Sequence, residues 1–174
     1  MKGVLSCFPL KLNTMTPLFR TTVFSLVVLT LIIAGVPSLL HHFGLLHFPA
    51  SSWNTAVPGV LTFFLGLLIY VLCAKDLAVR GRGTPALWNP PREFVSRGLY
   101  RMVRNPMYLG LVLIATGEAC FFQSPSLLFV AFLMWLMFHV FVIFSEEPTL
   151  KRKFGDSYLQ YCIKVPRWLP RWPE

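Results

Sequence analysis

Two apolar runs, Leu18 to Leu40 and Val57 to Val79, constrain this chain more than anything else in it. At about 1.5 Å of rise per helical residue, each is long enough to cross a hydrocarbon core of about 30 Å. A third run, Met107 to Phe122, is at the short end of that range, and a fourth, Ser126 to Ser145, is full length with His139 as its one ionisable residue. The expected fold is therefore all-α, an integral membrane helical bundle of about four transmembrane helices. Composition agrees, because 55% hydrophobic and 13% charged residues do not suit a soluble domain of 174 residues.

The charge pattern predicts how the bundle sits in the bilayer. All 16 Lys and Arg residues lie before or at the start of the first run (Arg20), from the end of the second (Lys75) to the third, or after the fourth. Residues 41–56 and 123–125 carry none. By the positive-inside rule, both termini and the central loop are expected to be cytoplasmic. The net charge of +9 also raises nucleic acid as a partner, but the basic residues flank spans instead of forming a soluble module. The lipid bilayer is the expected partner, with its anionic headgroups attracting the juxtamembrane cations. The first run is too long for a signal-peptide core and no A-x-A-like site follows it, so it reads as a retained span. Cys7, Cys73, Cys120 and Cys162 lack metal-ligand spacing, and no metal site is expected. His41, His42 and His47, with Trp53, read as an interfacial outer loop.

Chemistry concentrates in the second half. Residues 1–80 look like a plain two-span hairpin, with Pro37 and Pro58 near the outer ends of their helices. Residues 81–174 hold a cytoplasmic loop, two further spans and an amphipathic tail. The loop from Gly81 to Pro91 is rich in helix breakers and reads equally as a lid or a connector. Glu93 to Arg104 is amphipathic, predicting an interfacial helix or turn. Pro106 then starts the third span, whose N-terminus offers unpaired N–H groups and a partial positive charge to an anion.

Three acidic or titratable features stand out. Glu146 and Glu147 are expected to end the last span, where adjacent carboxylates oppose the helix dipole and call for a cationic partner in the basic loop or a ligand. His139 lies seven residues earlier, on nearly the same helical face as Glu146, and is either a core histidine or part of a pocket. Glu118 is an intramembrane carboxylate, either functional or satisfied by a neighbouring helix.

In chain order the motifs are Gly98-Leu99-Tyr100, Arg104 to Gly110, Glu146-Glu147-Pro148-Thr149-Leu150, Phe154-Gly155, Tyr158 to Tyr161 and Val165-Pro166-Arg167. Their order and spacing resemble the isoprenylcysteine carboxyl methyltransferase and phospholipid methyltransferase superfamily over about residues 80–171. The resemblance implies a membrane enzyme that moves a methyl group from S-adenosyl-L-methionine to a lipophilic acceptor, with a cytoplasmic C-terminal cofactor pocket. Carried over by position, the cofactor contacts are Arg92, Val95, Tyr100, Asn105, Pro106, Met107, Tyr108 and Glu146. His139 or a carboxylate such as Glu147 is the candidate base for an amine or thiol acceptor, and Arg167 the candidate clamp for a carboxylate acceptor. Two departures stand out: Asn105 replaces a histidine usual in prenylcysteine enzymes, and Val142 replaces an arginine. The second removes the group expected to hold a prenylcysteine carboxylate. A membrane sterol or steroid reductase using NADPH, and a non-enzymatic membrane protein, are the alternative readings.

Overall fold

The computed structural model describes residues 17–46, 53–79 and 97–172, and among these every regular element is helical. Helices α1 (Pro17–Thr30) and α2 (Val36–His42) form one rod joined by a π-turn at Leu31–Gly35. Helix α3 (Trp53–Val79) returns. A 3-10 turn at Gly98–Arg101 leads into α4 (Pro106–Phe121), and α5 (Pro125–Phe141) runs through a second π-turn, Val142–Glu146, into α6 (Glu147–Phe154). Helix α7 (Asp156–Lys164) closes the helical part.

Three of these rods are long and apolar enough to cross a membrane: Phe19–His42, Trp53–Val79 and Pro125–Phe154. Helix α4, at 16 residues, is shorter. It is sheltered in compensation, with Gly110, Leu111, Ile114, Ala115, Gly117 and Ala119 all buried. A seam of glycines brings its backbone against α3. A Cβ at Gly66 would lie 2.6 Å from the Gly110 carbonyl oxygen, and one at Gly117 would lie 2.5 Å from the Phe63 nitrogen. Only hydrogen fits at such crossings, which is how membrane helices gain close packing without a hydrophobic drive between them. Next to the seam, Tyr70, Cys73, Ala74, Met107, Leu111 and Ile114 form the core, and Val28, Leu29 and Ile32 of the first rod pack against it. The Tyr70 hydroxyl donates to Ser25 Oγ at 3.0 Å, tying α3 to α1. Leu26, Leu61, Phe64, Phe129, Phe132 and Met137 face outward and are mostly exposed, as residues bathed in lipid would be.

Each π-turn stands two residues before a proline: Gly35 before Pro37 and Glu146 before Pro148. A proline inside a helix has no N–H, and its ring collides with the carbonyl four residues back. Widening the preceding turn relieves that collision without ending the helix. The glutamate pair therefore does not terminate the last span as expected, because the helix passes through it to Phe154. Its two carboxylates do not sit at a helix C-terminus, and the extra residue in the turn shifts the register between His139 and Glu146. Within the described part of the Glu93–Arg104 segment the chain makes the 3-10 turn instead of a continuous interfacial helix. Gly98 opens that turn at φ +59, and a Cβ there would meet Asp76 Oδ2 at 2.8 Å. The Gly81–Pro91 loop, with its lid-or-connector question, lies outside the described residues.

Candidate functional site

At the end of the bundle where α4 begins, the C-terminal strap is sewn to the start of the helix. The Arg104 N–H donates to the Pro166 carbonyl at 2.8 Å, and the Arg171 N–H to the Met102 carbonyl at 2.9 Å. Asn105 caps α4 in position without a side-chain hydrogen bond to the helix. Its amide nitrogen donates instead to the Arg167 carbonyl at 3.2 Å, leaving the amide oxygen as an acceptor. Tyr161 reaches back from α7 to the Tyr100 carbonyl at 2.6 Å. Burial pushes both phenols above their ordinary range, so each stays a neutral donor at cellular pH.

The glutamate pair divides between two partners. Glu147 is buried and accepts from Arg104 Nη1 at 2.9 Å and from Arg167 Nε at 2.8 Å, while Arg167 Nη2 reaches its second oxygen at 3.0 Å. The fork geometry of Arg167 matches the carboxylate on both oxygens. This hydrogen bond to Glu147 raises the guanidinium's pKa still further. Glu146, one residue earlier and the last residue of the π-turn, accepts from the Tyr108 hydroxyl at 3.0 Å. Tyr108 is held flat by Phe138 of α5, with ring centroids 4.6 Å apart. Met107 and Pro106 are buried beneath this pair. The buried Nε of Arg104 has no partner among the described residues.

The residues expected around a cofactor thus fall into a connected group where they are described: Tyr100, Asn105, Pro106, Met107, Tyr108 and Glu146. Arg92 and Val95 lie outside the described residues. Glu147 and Arg167, expected to do chemistry, are paired with each other, and Glu147 is shared with Arg104. His139 accepts at Nδ1 from the Trp168 indole N–H at 2.9 Å and stacks on Trp135 at 5.4 Å. Glu118 is buried on α4 with Oε1 unpartnered among the described residues. Among them, too, no cluster of His, Cys, Asp and Glu suits a metal ion. Sequence reading missed the strap itself and the role of Arg104 as the second cation on Glu147. Its only local signal was the run of prolines and cations after Lys164.

Residues 54–157 match the family model described as phospholipid methyltransferase. The chain is 35% identical over 86 residues to a protein-S-isoprenylcysteine O-methyltransferase of Schizosaccharomyces pombe, an alignment covering 49% of this chain and 36% of that protein. It is 30% identical over 79 residues to protein-S-isoprenylcysteine O-methyltransferase B of Arabidopsis thaliana, covering 45% and 40%. To methanethiol S-methyltransferase 1 of Bradyrhizobium diazoefficiens it is 39% identical over 82 residues, covering 47% and 27%. The chain thus spans well under half the length of these relatives in each alignment. No solved structure matches it significantly. With three helices able to cross a bilayer and a family match over more than half its length, this chain is an integral membrane protein that belongs to the phospholipid methyltransferase family.

Proposed function

We propose that the chain transfers a methyl group from S-adenosyl-L-methionine to a lipophilic, membrane-held acceptor. The observation that carries this reading is the Tyr108–Glu146 hydrogen bond at the mouth of α4, inside the family-matched segment. The residues there fit such a donor. Its ribose diol and ammonium need a carboxylate acceptor, and Glu146 spends only one of about four lone-pair positions on Tyr108. Its own carboxylate suits the positive end of α4 and the unpartnered Nε of Arg104. Asn105 offers an amide oxygen, Pro106 and Met107 an apolar floor, and Tyr100, Arg92 and Val95 the remaining expected contacts.

When bound, the donor supplies an electrophilic methyl on a sulfonium sulfur. The carbon–sulfur bond breaks with its electron pair left on sulfur, and a bond forms from the acceptor's lone pair to the methyl carbon. A thiol or amine acceptor also gives up a proton to solvent or a nearby base, whereas a carboxylate gives up none. The protein's share is positioning and water exclusion, which account for several kcal/mol of barrier in well-oriented reactions. The one-sided distribution of Lys and Arg supports a cytoplasmic site, with both termini on that side.

The test is thermal unfolding of detergent-solubilised protein with S-adenosylhomocysteine or NADPH. The first is expected to raise the melting temperature and the second to leave it unchanged. Glu146→Ala is expected to abolish the first shift, and stabilisation that survives this substitution rules out Glu146 as a donor contact.

A further inference from the structure

Three aromatic rings pin the strap to α5. Trp135 and His139, four residues apart on one face of that helix, stack with ring centroids 5.4 Å apart. Trp168 of the strap lies against both, 6.2 Å from Trp135 and 6.0 Å from His139 by ring centroids, and its indole N–H donates to His139 Nδ1 at 2.9 Å. An indole nitrogen only donates, so Nδ1 supplies the lone pair and the neutral ring carries its proton on Nε2. One nitrogen is then engaged and the other already protonated. In this state the ring has no free lone pair for an acceptor's proton, and the role of base expected from the sequence does not suit it.

The peptide between Arg167 and Trp168 connects this anchor to the first turn of α4. A peptide is a rigid plane, and this one is held from both sides: the indole by His139, and the Arg167 carbonyl by the Asn105 amide nitrogen at 3.2 Å. Asn105 is buried. The Arg167 carbonyl decides which way its amide faces, because turning the amide over would set oxygen against oxygen. The amide oxygen is thereby left for a ligand at the N-terminus of α4, beside Pro106 and Met107. The strap has other attachments, from Arg167 to Glu147 and from the Pro166 and Arg171 backbones to Arg104 and Met102. They keep the strap on the bundle when the indole bond is lost. What that bond adds is the seating of one peptide, so its effect falls on the ligand and not on the fold.

We infer that His139 is a positioning residue for the methyl donor. By holding Trp168 it fixes the Arg167–Trp168 peptide, and through that peptide the face that Asn105 turns to the donor. This rests on the methyl-transfer reading and adds to it a residue on α5 that governs donor affinity without touching the donor.

The experiment reads two quantities on the full chain in detergent: affinity for S-adenosylhomocysteine by calorimetry, and the indole N–H signals of protein labelled with nitrogen-15 at tryptophan. Trp168→Phe keeps a ring and removes the donor, and it identifies the Trp168 signal by its loss. His139→Phe keeps a ring against Trp135 and removes the acceptor. Each is expected to weaken binding about fivefold, the worth of one hydrogen bond, and the double variant to be no weaker than either. His139→Asn carries an amide oxygen near the place of Nδ1, and is expected to bind within about twofold of the native chain. The Trp168 indole proton is expected to stay downfield in His139→Asn and to move upfield in His139→Phe. Should His139→Phe not fold, Trp168→Phe and His139→Asn carry the same comparison. Losses that add in the double variant, a His139→Asn protein as weak as Trp168→Phe, or an indole signal that His139→Phe leaves in place overturn the positioning role while sparing the methyl-transfer reading. A native chain with the downfield indole signal and no affinity for S-adenosylhomocysteine overturns that reading and leaves the His139–Trp168 bond standing as a structural contact alone.

Discussion

Removing the negative charge from Glu147 leaves two guanidiniums at the mouth of α4 with nothing to neutralise them. In Glu147→Gln the amide oxygen can still accept from one of them, but the amide nitrogen is set against Arg167's own donors. The native cluster has three charge-assisted hydrogen bonds, at 2.8, 2.9 and 3.0 Å. Breaking a fully buried pair by deleting one partner costs about 3–5 kcal/mol. Here the Glu147 and Arg104 side chains are 8% and 14% exposed, but Arg167 is 31% exposed and water can recover part of its loss. A destabilisation of about 2–3 kcal/mol is therefore expected once that screening is allowed for. Urea unfolding in mild detergent, followed by tryptophan fluorescence, reads it directly. The pairwise part comes from a double-mutant cycle with Arg167→Gln, expected to give a coupling of about 1–2 kcal/mol. A coupling indistinguishable from zero would refute the claim that this cluster holds the strap on the helix.

Three further outcomes follow from other parts of the structure. Gly66→Ala places a Cβ 2.6 Å from one backbone atom and 2.7 Å from another, neither of which can rotate away, so α3 and α4 must part. A loss of about 1–3 kcal/mol is expected in the same unfolding assay, and a neutral effect contradicts the seam. Tyr108→Phe keeps the ring that stacks on Phe138 and removes only the hydroxyl on Glu146. Affinity for S-adenosylhomocysteine by calorimetry is expected to fall about tenfold, the worth of one such bond, with the melting temperature of the ligand-free protein little changed. In sealed inverted vesicles of a chain whose four native cysteines are replaced by alanine, a membrane-impermeant thiol reagent is expected to label Arg101→Cys but not Gln123→Cys. The reverse pattern contradicts the cytoplasmic placement of the site.

The long spans were readable because a bilayer imposes a length on any apolar helix, and Leu18–Leu40 and Val57–Val79 meet it on sight. The polar motifs were readable because Arg104, Asn105, Glu146 and Glu147 are costly where they stand. What each motif binds was not readable, since adjacent glutamates look alike in a string, whereas at the end of the π-turn one meets Tyr108 and the other two arginines. That turn has a visible cause in Pro148, but a proline two residues past a carboxylate is equally compatible with a helix end. The glycine seam was present as Gly59 and Gly66 against Gly110 and Gly117, two pairs seven apart, and spacing by two helical turns is a signal that points to close packing. The strap was beyond local patterns altogether, because the hydrogen bonds that tie it to the start of α4 join residues more than sixty positions apart.

That separation has a consequence for how the protein is made. Arg104 and Asn105 wait for Pro166 and Arg167, so during synthesis α4 and α5 are inserted while the floor of the site is still unfinished. Contacts that far apart in the chain close late. On the proposed methyl-donor reading, insertion into the bilayer and competence to bind the donor are expected to be separate events, the second only after residue 171 has left the ribosome. A released chain truncated after residue 164 is expected to resist alkaline extraction from the membrane yet show no protection by S-adenosylhomocysteine against limited proteolysis, whereas one that includes residues 165–172 shows both.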